Sequence, residues 1–371
     1  MKINSVNTVS LGDVLEYEQP TKYIVDNTNY DNQFEIPVLT AGKSFLLGYT
    51  NETHNVFRNV PVIIFDDFTT AFKYVDFPFK VKSSAMKILK ANKEIADIRF
   101  LYYRMMKTGI DTELHKRYWI SKYSKVKIPL PPLDQQKKIA AILDAAYAYR
   151  EKTKALITKY DELTQSLFLD MFGDPVTNPK GWDKIKLGEL HEISSGGTPS
   201  RKINDYYENG TIPWVKTGDL KGLYVLNPSE SITEEALKNS SAKLFPSDTL
   251  LIAMYGATIG ACSILNFNAA TNQACAALLP SDKVNILFEF FFFREFKKEL
   301  IKMGVGGAQP NISAGLLKNL KIYYPPMDHQ NQFAERVKAI ESQKAQAQDS
   351  LAGAEDLFNS LLQRAFKGEL V

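Results

Sequence analysis

One long phrase of this sequence is written twice, and that repetition constrains the fold more than anything else in the chain. Ile128-Pro129-Leu130-Pro131-Pro132-Leu133-Asp134-Gln135-Gln136 returns as Ile322-Tyr323-Tyr324-Pro325-Pro326-Met327-Asp328-His329-Gln330. The register holds beyond the prolines: Ala140 matches Ala334, Leu163 matches Leu357, Ser166-Leu167 matches Ser360-Leu361, and Phe172 matches Phe366. So long a period is a duplicated domain-plus-helix, not a solenoid of short repeats. Each copy runs into residues rich in Ala, Leu, Gln and Lys, which predicts one long helix over 139–172 and another over 333–366. Paired prolines cannot sit inside a helix, so they fix where each one begins, and Gly173-Asp174-Pro175 ends the first with a turn.

Both helices carry apolar residues three and four apart. The first series is Ile139, Ile142, Ala146, Tyr149, Thr153, Leu156, Tyr160, Leu163 and Leu167. The second is Phe333, Val337, Ile340, Lys344, Ala347, Leu351, Ala354, Phe358, Leu361 and Ala365, with Thr153 and Lys344 as the breaks. A narrow stripe of this kind predicts a coiled-coil seam. Each helix occurs once per chain, so the simplest partner for each is the other; the alternative is that each packs separately on its own domain. The expected architecture is α+β: two similar mixed α/β globular domains separated by two long helices forming an antiparallel coiled coil. The boundaries are 1–130 for the first domain, 131–175 for the central helical spacer, 176–321 for the second domain and 322–371 for the C-terminal spacer.

The two globular segments also resemble each other weakly. Leu11-Gly12-Asp13 lies against Leu187-Gly188-Glu189, and Ile36-Pro37 with Gly42 lies against Ile212-Pro213 with Gly218. Similar frames with different interiors suit one fold used for two specificities, or simple drift after duplication. Within them, Val62-Ile63-Ile64-Phe65 is the clearest strand, a helix is expected near Ile95–Thr108, and the apolar run Ile286–Phe293 reads as a buried helix. That run is broken by Glu289 and falls far short of the ~20 residues of a membrane span.

Hydrophobic residues at 44% and charged residues at 23% are ordinary for a soluble globular protein, and the net charge of +3 permits nucleic-acid binding without arguing for it. The two cysteines, Cys262 and Cys275, read as buried thiols in a reducing cytoplasm, and the N-terminus lacks the apolar run of a signal peptide. Catalytic signatures are missing: no phosphate-cradling G-x-x-x-x-G-K-[ST], no Asn-Pro-Pro-aromatic motif and no dinucleotide-type glycine turn. Gly304-Val305-Gly306-Gly307 reads as a loop, and His54, His115, His191 and His329 are too scattered for a metal cluster. Together these absences point to a binding protein.

In order along the chain, the two Pro-Pro-[Leu/Met]-Asp-x-Gln helix starts, the Ser166–Pro175 exit, Ser195-Gly196-Gly197-Thr198-Pro199-Ser200, Ile212–Asp219, Gly256-Ala257-Thr258-Ile259-Gly260, Asn272-Gln273, Gln309–Ser313 and Leu361–Leu370 resemble the specificity subunits of type I restriction-modification systems. The resemblance covers nearly the whole length. It implies two target-recognition domains, each reading one half of a split, asymmetric site on double-stranded DNA. It further implies docking of two modification subunits, which methylate adenine from S-adenosylmethionine, and of restriction subunits that use ATP and Mg. The chain itself would be non-catalytic, hold no cofactor or metal, and work in the cytoplasm with no membrane contact. A coiled-coil scaffold for other proteins is the alternative reading. The first globular segment lacks the Ser195–Ser200 motif, so residues carried over for the second do not transfer to it.

Reading bases needs donors and acceptors at the groove edges, while phosphate contacts only position the protein. Loop residues able to do either are the candidates for DNA binding. In the first domain they are Thr40, Lys43, Ser44, Lys73, Tyr74, Ser83, Ser84, Lys87, Lys116, Arg117 and Tyr118. In the second they are Thr198, Ser200, Arg201, Lys202, Lys216, Thr217, Tyr255, Thr258, Gln273, Gln309 and Asn311. Gly196, Gly197, Gly256 and Gly260 either allow tight turns or let the backbone approach DNA closely.

Overall fold

The computed structural model describes residues 7–40, 44–108, 118–305 and 311–370. It forms two compact units, Met1–Lys154 with Gln348–Val371, and Ala155–Ala347.

In unit 1, β1 (Asn7–Ser10) pairs with β9 (Lys127–Leu130), and the short helix α1 (Leu11–Val14) leads into β2 (Leu15–Glu18). A four-stranded antiparallel sheet has the order β2, β8 (Met86–Ala91), β5 (Val62–Asp66), β6 (Phe72–Val75). A smaller sheet has the order β4 (Leu46–Thr50), β3 (Ile36–Leu39), β7 (Lys80–Val81), with β3 and β7 parallel. Strand β5 is buried along its whole length, as its β-branched and aromatic residues require of a central strand. Residues Val62, Ile64, Val75, Phe79 and Ile88 form a core of their own on one face. On the other face Ile63, Phe65 and Leu89 meet helices α2 (Ile98–Lys107) and α3 (Tyr118–Ser121).

Unit 2 repeats this plan. The pair is β10 (Lys184–Lys186) with β19 (Lys321–Tyr323), and α5 (Leu187–Leu190) precedes β11 (Ile193–Ser195). The large sheet runs β11, β18 (Cys275–Leu278), β15 (Leu250–Ala253), β16 (Cys262–Ile264). The small sheet runs β13 (Glu230–Ile232), β12 (Ile212–Val215), β17 (Ala269–Thr271), β14 (Leu244–Phe245), with β12 and β17 parallel. Helix α6 (Glu234–Lys238) covers the small sheet; α7 (Ile286–Met303) and α8 (Ala314–Asn319) cover the large one. The weakly matched anchors therefore stand in equivalent elements, α1 with α5 and β3 with β12. The apolar run at 286–293 is the buried start of α7, and Cys262 and Cys275 are buried free thiols.

The long helices are α4 (Leu133–Phe172) and α9 (Met327–Lys367), 40 and 41 residues. At about 1.5 Å per residue each is roughly 60 Å long. They begin directly after Pro132 and Pro326, earlier than the apolar periodicity suggests, which places Gln136 and Gln330 in the first turns. In unit 1 Tyr147 and Arg150 meet Phe358, and Lys154 pairs with Glu355. In unit 2 Asp161 holds Lys344 at 2.6 Å, and Phe168 and Phe172 pack on Phe333. Numbers rise along one helix as they fall along the other, so the pairing is antiparallel in each unit. The same helices also enter the globular cores: Ile139, Leu143, Phe358 and Leu362 sit with Phe100 and Leu101 in unit 1, and Phe168, Phe333 and Val337 with Phe288 and Ile322 in unit 2. Packing on the partner helix and packing on the domain are not alternatives.

The expected stripe on α9 is the buried one, but the stripe on α4 needs correction. Its members Ile139, Ala146 and Thr153 are buried, but Ile142, Tyr149, Leu156 and Leu163 are exposed, and at three of those places the seam takes the next residue instead, Leu143, Arg150 and Thr164. The polar members fit because Thr153 and Thr164 donate their hydroxyls to the Tyr149 and Tyr160 carbonyls, both at 2.9 Å, and Arg150 lies over Tyr147 and Phe358. Thr153 is thus a seam residue, not a break.

Each helix start is locked by the same buried amide. Gln136 accepts from the Asp97 backbone N–H at 2.9 Å and donates to the carbonyls of Ile95 and Pro131. Gln330 accepts from the Asn285 N–H at 2.9 Å and donates to the Pro325 carbonyl. Asp97 and Asn285 are themselves the N-caps of α2 and α7. In Gln136→Ala or Gln330→Ala the orphaned buried groups should cost about 1–3 kcal/mol each, read as a lower denaturation midpoint of the corresponding unit.

Beside α7, His191 holds the Leu279 carbonyl with Nδ1 at 2.6 Å and the fully buried Glu289 carboxylate with Nε2 at 2.8 Å. Burial alone would push this imidazole down, but the bond to Glu289 and its charge outweigh it and hold His191 above the ordinary histidine value. The pair's contribution is therefore complete below the unfolded value of about 6.5 and is lost as pH rises through the higher folded value. Denaturation series from pH 6 to 9 should show the stability gap between the unaltered chain and His191→Gln narrowing as pH rises.

Candidate nucleic-acid interface

The site is built at one end of each large sheet. In unit 2, β11 and β15 end there and β18 begins, as the pairs Ser195↔Ala276 and Ala253↔Cys275 show. The small sheet delivers its parallel strands to the same place: the Asn272 N–H bonds the Val215 carbonyl at 3.1 Å, and the Gly197 N–H bonds the Thr271 carbonyl at 2.9 Å. Three loops therefore converge around the short β17–β18 link, which makes a fourth. They carry Thr198 with Ser200 to Lys202, Lys216 with Thr217, Gln273, and Tyr255 with Thr258. Asn311 joins them through backbone bridges to Tyr255 and Val305.

Several of these side chains touch. The Thr198 hydroxyl donates to Gln273 Oε1. Glu230 binds both Arg201 and Lys216, and the Arg201 guanidinium lies over Tyr207 at 4.1 Å and Trp214 at 5.1 Å. Burial would raise the Glu230 carboxyl, but the hydrogen bonds from Lys216 and Arg201 bring it below the usual carboxylate range. Glu230, which the sequence did not single out, thus orients the two cations and offsets part of their charge. Ser200 and Lys202 are exposed and Thr217 and Thr258 are half-buried at the same sheet end.

Unit 1 builds the equivalent end differently. The β7–β8 link carries Lys82, Ser83 and Ser84, and the Lys82 N–H bonds the Leu39 carbonyl at 2.9 Å, which brings Thr40 alongside. Ser44 is exposed in the loop before β4, and Lys73 is exposed on the edge strand β6. Two candidates are not available as surface groups: Lys87 is 2% exposed, 3.3 Å from Asp67 and over the Tyr17 ring, and Tyr118 is 1% exposed in the core. Tyr74 is half-buried, with Arg99 over its ring and Tyr102 beside it. Lys87 lies on strand β8, whose first four residues are buried because both faces of the sheet are covered, and a lysine is tolerated there because Asp67 pairs with it. Lys43, Lys116, Arg117 and Gln309 lie outside the described residues, as do Gly42, His115, Gly306 and Gly307.

Among the described residues one trio, Asp26, Glu52 and His54, has possible metal-ligating atoms within 4.8 Å of one another. The fully buried Lys80 ammonium already stands 2.7 Å from Glu52 Oε2 and supplies the cation there. No helix among the described residues is long and apolar enough to cross a membrane.

The family of the chain follows from comparison with known proteins. The model for the type I restriction modification DNA specificity domain matches residues 4–160 and again 179–351. This chain belongs to that family. A similar curated relative is the type I restriction enzyme EcoR124I/EcoR124II specificity subunit of Escherichia coli, 35% identical over 89% of this chain and 85% of that protein. The fold is similar to a type I restriction-modification S subunit from M. genitalium, with a TM-score of 0.65 and 15% identity over 99% of this chain and 98% of that one. It is also similar to a chain solved for complex assembly and conformational transition of the type I R-M system, with a TM-score of 0.58 and 21% identity over the full length of both.

In this specificity-family chain the glycines next to the loops serve its own packing. A Cβ on Gly196 would lie 2.0 Å from the Thr271 carbonyl oxygen, and one on Gly197 would lie 2.2 Å from Ser241 Oγ. Close approach to DNA is not needed to explain either. Gly196→Ala should destabilise unit 2 by about 3 kcal/mol, measured by chemical denaturation, whether or not DNA is present.

Proposed function

We propose that this chain is the DNA-reading, non-catalytic subunit of a type I restriction-modification complex in the cytoplasm. Its two target-recognition domains, 1–130 and 176–321, read the two halves of a split, asymmetric site on double-stranded DNA. Residues 131–175 and 322–371 space them and dock two modification subunits, with restriction subunits added to the assembly. S-adenosylmethionine belongs to the modification subunits, ATP and Mg to the restriction subunits, and this chain holds none of them.

The observation that carries this reading is the duplicated sheet end. The same crossover from small sheet to large sheet presents polar loops in both units, yet the side chains it presents differ, as two half-site specificities require. Arg201, Lys216, Thr198 and Gln273 offer phosphate and base-edge contacts in unit 2; Thr40, Ser83 and Ser84 offer them in unit 1. The exposed apolar residues Leu156 and Leu163 on α4 suit the burial of a partner subunit on the spacer. A protein-binding scaffold would have no use for cation-bearing loops at this one end, and a gel shift on duplex DNA with the modification partner present separates the two readings.

Exchanging residues 1–125 for another reader domain should alter one half of the methylated site and leave the other intact, as mapped by methylation sequencing. Inserting seven residues into both helices, near Thr153 and Ala347, should move the half-sites apart by about 10 Å, or roughly 3 base pairs. Unchanged spacing would reject the spacer role of the two helices.

A further inference from the structure

Two exposed aromatic rings stand at equivalent places in the duplicated fold. Phe68 follows the end of β5 by two residues, and Tyr255 follows the end of β15 by two residues. These are matching strands, third in the order of their sheets. The links that hold the rings, Asp67-Phe68-Thr69-Thr70 and Met254-Tyr255-Gly256-Ala257, otherwise share no residue type at any position. Phe68 is 57% exposed and Tyr255 44%. A single exposed ring needs no explanation, but its return at one position in two diverged copies does.

Neither ring sits on a slack loop. Asp66 Oδ1 accepts from the Phe68 and Thr69 amides at 2.8 and 3.2 Å, and Asp67 Oδ1 accepts from the Trp119 amide at 2.8 Å. In unit 2 the Tyr255 carbonyl accepts from the Thr258 hydroxyl at 2.9 Å. Its neighbour Met254 is tied by backbone bonds to Ala274 at 2.8 Å and Ile312 at 2.9 Å. The backbone that carries each ring is thus held at the sheet end where the polar link begins the neighbouring strand, after Ser83-Ser84 in one unit and after Asn272-Gln273 in the other.

We propose that Phe68 and Tyr255 are base-contacting residues, one for each half-site, which pack their rings on bases in the groove while the adjacent loops hold phosphates. This rests on the DNA-reading function proposed above. The Phe68 ring offers no donor or acceptor to a phosphate, and apolar contact with a thymine methyl at the groove edge is what its chemistry allows; the Tyr255 ring can do the same, and its O–H is the one group a Tyr255→Phe change removes. The held backbone favours it, because little main-chain freedom is lost on binding.

The test uses the full chain assembled with its modification subunits and a random 40-base-pair duplex pool, sequenced after capture. Phe68→Ala should erase preference at one or two adjacent positions in one half of the enriched site, and Tyr255→Ala should do so in the other half. Affinity for the unaltered enriched duplex should fall about tenfold in each, while the slope of log affinity against log salt stays unchanged because no phosphate contact is lost. Tyr255→Phe should keep the site. An identical enriched site in both alanine variants, or a reduced salt slope, would overturn the proposal. If the unaltered complex enriches no site, DNA reading itself fails, a result distinct from failure of the aromatic contact.

Discussion

A buried amide at the start of each long helix is the contact on which the arrangement of each unit depends. Gln136 and Gln330 are fully buried and bond the backbone on both sides, reaching the cap of α2 or α7 and the carbonyl of a proline just upstream. The two prolines cannot extend the helix, so the chain must turn there, and the glutamine fixes the direction of that turn relative to the domain. A spacer helix can transmit a fixed geometry to a reading loop only if its root cannot swivel. That explains why the repeated motif ends in Gln and not in an apolar residue.

The remaining contacts build outward from that root. In unit 1 Asp144, about two turns beyond Gln136 on α4, binds Arg99 and accepts from the Tyr103 hydroxyl at 2.6 Å, tying the helix to α2. In unit 2 the Tyr323 hydroxyl bonds the Gly173 carbonyl at 3.0 Å and the Trp182 indole bonds the Phe172 carbonyl at 3.0 Å, closing the other end of α4 onto β19 and the linker. Burial of Phe168, Phe172 and Phe333 with the α7 phenylalanines adds a large aromatic core at that root. The specific polar bonds set direction, and the apolar burial supplies most of the stability.

The proposed reading surface lies where the fold leaves the backbone least free to vary and the side chains most free. The β7–β8 and β17–β18 links join two sheets and have little latitude in path, yet each leaves a polar side chain exposed at the sheet end, Ser84 in one and Gln273 in the other. That separation of frame from surface lets two diverged domains present Ser83-Ser84 in one case and Asn272-Gln273 in the other without changing the fold.

The sequence by itself determined the duplication, the helix starts at the paired prolines, the buried helix at 286–293 and the equivalence of Leu11–Asp13 with Leu187–Glu189. All are written in local order or in a direct repeat. Only the tertiary structure decided which face of α4 is the seam, because that helix carries apolar residues on adjacent faces and a hydroxyl bonded to its own backbone can stand in the seam. The tertiary structure also decided that Lys87 and Tyr118 are buried, that Glu230 gathers Arg201 and Lys216, and that Phe68 and Tyr255 are counterparts. Those relations join residues distant in sequence, and no local pattern records which strand a side chain will lie beside.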